Sequence, residues 1–270
     1  MFSFSVKLMI TGILNSLNQN LLTFIFGRLF TINSVGNFSQ ANKWNSMAHY
    51  TIASTLGQVA QTVFVTASDE GERERRVFRK MLRFTAFLSF PCLFGLALIS
   101  REFILITIGE KWIDCIPLLQ ILCIGGAFMP FYTLYQNIAI SHGRSDLYMW
   151  CNIGQMATML ALVLLLYPKG ITAIVIANAI LTILWLGVWQ AVTNRLTGIR
   201  LLDVLKDIVP FLAVSLLVMA VTYFVTMGIT NLALLLAARI VIAVLLYAGS
   251  MKLLQAKVME ECIDFIRKRH

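Results

Sequence analysis

ITAIVIANAILTILWLGVWQAV, residues 171–192, runs for 22 residues without one Asp, Glu, Lys, Arg or His. A helix crossing the roughly 30 Å hydrocarbon core of a bilayer needs about 20 mainly apolar residues, and this stretch meets that length. Just before it, Tyr167-Pro168-Lys169-Gly170 forms a strong turn signal. Before the turn lies a second apolar block of the same kind, and the pattern repeats in both directions. The blocks fall at 6–26, 48–67, 81–99, 116–140, 147–167, 171–192, 208–227 and 232–254. Only 13% of the 270 residues are charged while 59% are hydrophobic. Soluble domains carry roughly 25% charged residues, so this chain lacks the groups needed to cover a water-exposed surface. Within lipid, a helix satisfies every backbone polar group inside one segment. The fold class expected is therefore all-α: a polytopic membrane protein with about eight transmembrane helices.

Lys and Arg are distributed unequally between the two sides that these blocks define. Sixteen fall on one side, concentrated in 73–83, 195–206 and the C-terminal tail, against five on the other. The excess marks the cytoplasmic side and places both termini there. The net charge of +9 sits between apolar blocks with no basic patch interleaved with aromatics, which argues against nucleic acid. Pro91 and Pro130 lie inside blocks and should kink their helices. The run DEGERERRVFRK (69–80) should extend the next helix into the cytoplasm as a salt-bridged collar. Leu201, Leu202 and Leu205 against Asp203, Lys206 and Asp207 suit a short interfacial helix with a solvated acidic face. The expected organisation is a six-helix lobe (1–192), an interfacial linker (193–207), a terminal helix pair (208–254) and a cytoplasmic tail (255–270).

Polar side chains at membrane depth are costly unless they face protein or water, so they point to a pathway. Asn15, Asn18 and Gln19, with Thr11, share one face of the first block, and Gln58 and Gln61, with Ser54, share one face of the second. They are the substrate-cavity candidates. The plainer reading is interhelical hydrogen bonding by the same amides. Tyr132, Tyr135, Gln136, Asn137, Asn152 and Gln155 offer both donors and acceptors, with packing as the alternative. Arg239 is the strongly charged residue inside a block; it is a cavity candidate for an anionic substrate, against a snorkelling placement at the outer interface. Other carboxylates are expected in loops. His49 at a membrane boundary, His142 and His270 form no metal site, and the five cysteines show no C-x-x-C pair. No G-x-S-x-G, Walker A, H-E-x-x-H or D-x-D sequence is present. Neither catalysis nor a cofactor is expected.

FGRLFTINSVGNFSQANKW (26–44), SDEGERERRVFRKMLRF (68–84), GEKW (109–112), PLLQILCIGG (117–126) and GRSDLY (143–148) occur in an order that resembles the polysaccharide and oligosaccharide flippases. These proteins, which include the lipopolysaccharide biosynthesis proteins, belong to the multidrug/oligosaccharidyl-lipid/polysaccharide exporter superfamily. In them the first of these stretches is a hairpin after the seventh helix. The resemblance implies the C-terminal lobe plus two terminal helices of a fourteen-helix flippase, with the N-terminal lobe absent or supplied by a second chain. It implies a cavity role for Asn15, Asn18, Gln19, Gln58 and Gln61, with lipid-linked oligosaccharide and membrane lipid as partners. It also implies alternating access that flips repeat units for surface polysaccharide or lipopolysaccharide. Thr62-Val63-Phe64-Val65 stands where relatives often carry a proline, and no arginine lies at mid-depth in the first two blocks. A non-transporting or truncated membrane partner of polysaccharide assembly, or a cation-coupled drug exporter, are the competing expectations.

Overall fold

The structure, a computed structural model, describes residues 22, 25–67 and 71–253, without the side chains of 58–67. Among the described residues there are eight labelled α-helices and no strand. They are α1 (Ile32–Ala67), α2 (Gly71–Thr107), α3 (Cys115–Gly126), α4 (Met129–Ser141), α5 (Ser145–Leu166), α6 (Ile171–Thr197), α7 (Leu201–Thr226) and α8 (Leu232–Leu253). Six spans are long and apolar enough to cross a membrane: α2, the α3–α4 pair, α5 with its closing 3₁₀ turn, α6, α7 and α8. The protein is a multi-pass α-helical membrane protein. Nearly all of the expected first span lies outside the described residues. The second falls in α1, which is not among the six and carries polar residues from Asn33 to Gln61.

Two elements are longer than their apolar blocks. Residues 32–44, expected in a hairpin, are helical and continuous with the second block. They hold neither proline nor a glycine pair to stop a helix, and Phe38 and Ala41 are buried on one face. Helix α2 takes in the charged run from Gly71 onward, as expected, and Glu72 pairs with Arg75 at 3.0 Å.

The prolines behave differently from one another. Pro130 falls in the first turn of α4, and the helix breaks ahead of it at Ala127 and Phe128. At the break, Ser89 of α2 donates to the Ala127 carbonyl at 2.6 Å. Pro91 leaves α2 continuous. Proline removes the donor that would reach the carbonyl four residues back, here that of Phe87. The Tyr247 hydroxyl of α8 donates to that carbonyl at 2.9 Å.

Helix α2 is the spine, packed against α1, α3, α7 and α8. Three buried carboxylates correct the expectation that acidic residues stay in loops. Glu74 accepts from His142 at 3.0 Å. Asp207, expected on a solvated face, is only 6% exposed and takes a two-pronged bond from Arg79 at 2.6 and 3.2 Å. Glu102, 2% exposed, pairs with Arg239 at 2.8 Å. Residues 201–207 are not a separate interfacial helix but the first turns of α7. Val204, Asp207 and Phe211 recur at helical spacing and are buried, so the buried face carries straight into the span.

Candidate functional site

Between α1, the α3–α4 break, α5 and α6 lies a half-open cavity of about 660 Å³. Helix α1 brings one stripe to it: Ser39, Asn42, Lys43, Asn45, Ser46, His49, Tyr50 and Ala53. Their spacings of three and four residues keep them on one face of a helix. Helices α4 and α5 add Tyr132, Thr133, Gln136, Asn152 and Gln155, and α6 adds Asn178 and Thr182. Gly125 and Gly126 sit where α3 meets its neighbours. A Cβ at Gly126 would collide with the Asn45 amide, and one at Gly125 would come within 3.0 Å of the Ala179 Cα. Only glycine lets three helices approach this closely beside an open space.

The wall is held by its own hydrogen bonds. Tyr132 donates to the Thr182 carbonyl at 2.6 Å and therefore accepts from the Gln155 amide at 3.4 Å. Asn152 donates to the Tyr148 carbonyl at 2.7 Å. Asn45 is 5% exposed and its Oδ1 has no hydrogen-bond partner among the described residues. His49 lies buried with its ring centroid 4.3 Å from that of Tyr50. Lys43, exposed and 5.7 Å from the Trp44 ring centroid, is the one fixed charge among the described lining residues. No carboxylate lines the cavity among them.

The candidate residues read from the sequence divide as follows. Asn15, Asn18 and Gln19 lie outside the described residues. Gln58 and Gln61 belong to α1, with their side chains outside the description. Arg239 is not among the cavity-lining residues and does not snorkel. It is 7% exposed, 5.5 Å from the Tyr223 ring centroid, and bonded to Glu102, the Leu98 carbonyl and the Thr226 hydroxyl. Tyr132, Gln136, Asn152 and Gln155 come together in the cavity. Tyr135 instead donates to Gln190, and Asn137 to the Thr133 carbonyl one turn back. The first part of the α1 stripe was missed because Ser39, Asn42 and Lys43 were assigned to a hairpin, and Asn45 and Ser46 lie ahead of the second apolar block. The signal was there in Asn42, Asn45, Ser46 and His49, which repeat at helical spacing. Asn178 and Thr182 stand inside the uncharged stretch 171–192, where two polar residues carry no periodicity of their own.

Fold and cavity define the class: a multi-pass helical membrane protein whose lobe encloses a polar space beside a broken helix. Comparison with known proteins narrows it. Residues 1–117 match the family model described as polysaccharide biosynthesis protein. The teichuronic acid biosynthesis protein TuaB of Bacillus subtilis is 28% identical over 197 residues, 73% of this chain and 39% of that protein. The lipopolysaccharide biosynthesis protein WzxC of Escherichia coli is 28% identical over 144 residues, 53% of this chain and 29% of that protein. Among solved structures, the lipid II flippase MurJ in an inward closed conformation superposes with a TM-score of 0.67 at 13% identity, over 82% of this chain and 48% of that one. The chain spans less than half the length of each of these relatives. It is similar in sequence to these polysaccharide and lipopolysaccharide biosynthesis proteins, and over most of its length it shares the fold of the MurJ structure.

Proposed function

We propose that this chain forms one lobe of a flippase that carries lipid-linked oligosaccharide or polysaccharide repeat units across the bacterial inner membrane. The observation that carries the proposal is the polar cavity among membrane-spanning helices of flippase fold. A sugar–phosphate head group cannot cross about 30 Å of hydrocarbon unaided. Amides and hydroxyls replace its water, while the lipid tail stays in the bilayer. The cavity volume falls within the roughly 300–1,000 Å³ of ligand sites generally, and its open side calls for a second wall. That wall is a further six-helix lobe, in a longer chain or a second one. Rocking of the lobes alternates access, and no covalent bond is made or broken. On this reading Gln58, Gln61, Asn15, Asn18 and Gln19 are further substrate-cavity candidates. The Lys and Arg asymmetry supports cytoplasmic placement of both ends. Cells deleted for the gene should accumulate lipid-linked repeat units on the cytoplasmic leaflet. Normal surface polysaccharide in a clean deletion would overturn the proposal.

A further inference from the structure

Resting on the reading of this cavity as a substrate wall, we infer that its inner surface binds an uncharged, hydroxyl-bearing glycosyl unit and discriminates against acidic sugars such as uronates. The polar groups away from the exposed Lys43 are neutral: Asn45, Gln136, Asn152, Gln155 and Asn178. An amide offers both donors and acceptors, which is the complement of a sugar hydroxyl. The bonds within the wall sharpen that match. Because Tyr132 spends its proton on the Thr182 carbonyl, one N–H of Gln155 is taken up by the Tyr132 oxygen. One N–H of Asn152 is taken up by the Tyr148 carbonyl. The buried Oδ1 of Asn45 has no hydrogen-bond partner among the described residues. Hydroxyl and acetamido N–H groups supply donors; a carboxylate supplies none. An anion drawn from water into this wall would meet neutral amides and hydroxyls with no fixed positive charge at depth among the described lining residues, and burying an unpaired charge is strongly unfavourable. One anionic group can pair with Lys43 on the exposed side. A second, carried on the sugar, has no such partner among the described lining residues.

The test uses the full chain in lipid nanodiscs at pH 7.5, above the ordinary imidazole pKa of about 6.5, so that cavity histidine charge does not confuse the result. Binding of maltotriose, a neutral trisaccharide, is compared with that of trigalacturonate by saturation-transfer NMR titration. The native chain should bind maltotriose and bind trigalacturonate at least tenfold more weakly. Gln136 is half-buried and lines the cavity, so Gln136→Lys places a positive charge in the wall and should tighten trigalacturonate binding about tenfold. Gln155→Glu, near-isosteric, should widen the gap in favour of the neutral sugar. Equal binding of the two sugars by the native chain, an unchanged ranking in Gln136→Lys, or no maltotriose binding would each overturn the inference. Transport of lipid-linked units in cells is read separately. If acidic and neutral units are flipped alike, the flippase reading stands and this one falls. If neither accumulates in the deletion strain, the flippase reading falls by itself.

Discussion

At the scale of single residues, Arg239 shows how environment decides what a charge does. Removing it alone leaves Glu102 charged and buried, a loss that costs about 3–5 kcal/mol where a buried pair is broken from one side. Arg239→Leu should therefore lower the thermal midpoint of the detergent-purified chain sharply. The double variant Arg239→Leu with Glu102→Leu should recover most of the loss, because no orphan charge remains. A double variant no better than the single one would mean that the pair is not coupled. Gly125 makes a steric counterpart. Gly125→Val must push α3 away from Ala179, and overpacking of this kind costs about 1–3 kcal/mol. The same melting assay should register it, together with a narrower cavity. Neither partner was legible in the sequence. Arg239 stood out as a charge in an apolar block, but Glu102 lies 137 positions away in sequence, beside Arg101 and past the end of the 81–99 block, where a loop was expected. Long-range pairing leaves no local pattern. The amides Gln136, Asn152 and Gln155 were legible as polar residues at depth, and only the fold shows that they share a space.

At the scale of elements, apolar length and turn residues placed the α3–α4 pair, α5, α6 and α8 within a few residues of where they lie, while α2 runs well past both ends of its block. The errors came where a helix outruns its apolar block, as in α1 and α7, because hydropathy marks the lipid-spanning part and is silent about polar turns added at either end. Both prolines were legible as disturbances, but their outcomes depend on partners. The break before Pro130 falls next to Gly125-Gly126, so a weak helix gives way. The Pro91 site stays helical while Tyr247 satisfies the carbonyl left behind. Tyr247→Phe should cost about 0.6–2 kcal/mol, the range of hydrogen bonds between membrane helices. Pro91→Ala restores a backbone donor for the Phe87 carbonyl. In that background the tyrosine's loss should be smaller, and a double-mutant cycle measures the difference. Equal losses in both backgrounds would show that the hydroxyl is not compensating for the proline.

At the scale of the whole molecule, the charge asymmetry makes a topological prediction that needs no side-chain detail. In a cysteine-free background, Gly143→Cys should react with a membrane-impermeant maleimide only after the cells are opened, and Lys169→Cys should react in intact cells. The reverse pattern would invert the orientation. The terminal helices bear on the molecule as a whole in another way. Asp207 holds Arg79, Arg239 holds Glu102, and Tyr247 covers the Phe87 carbonyl, so α2 is engaged by them at three levels. A chain cut short after α6 would uncover all three sites together, leaving a naked carboxylate facing hydrocarbon. The last two helices thus serve α2 as insulation as much as scaffolding, and shortened versions meant for easier handling should emerge less soluble in detergent.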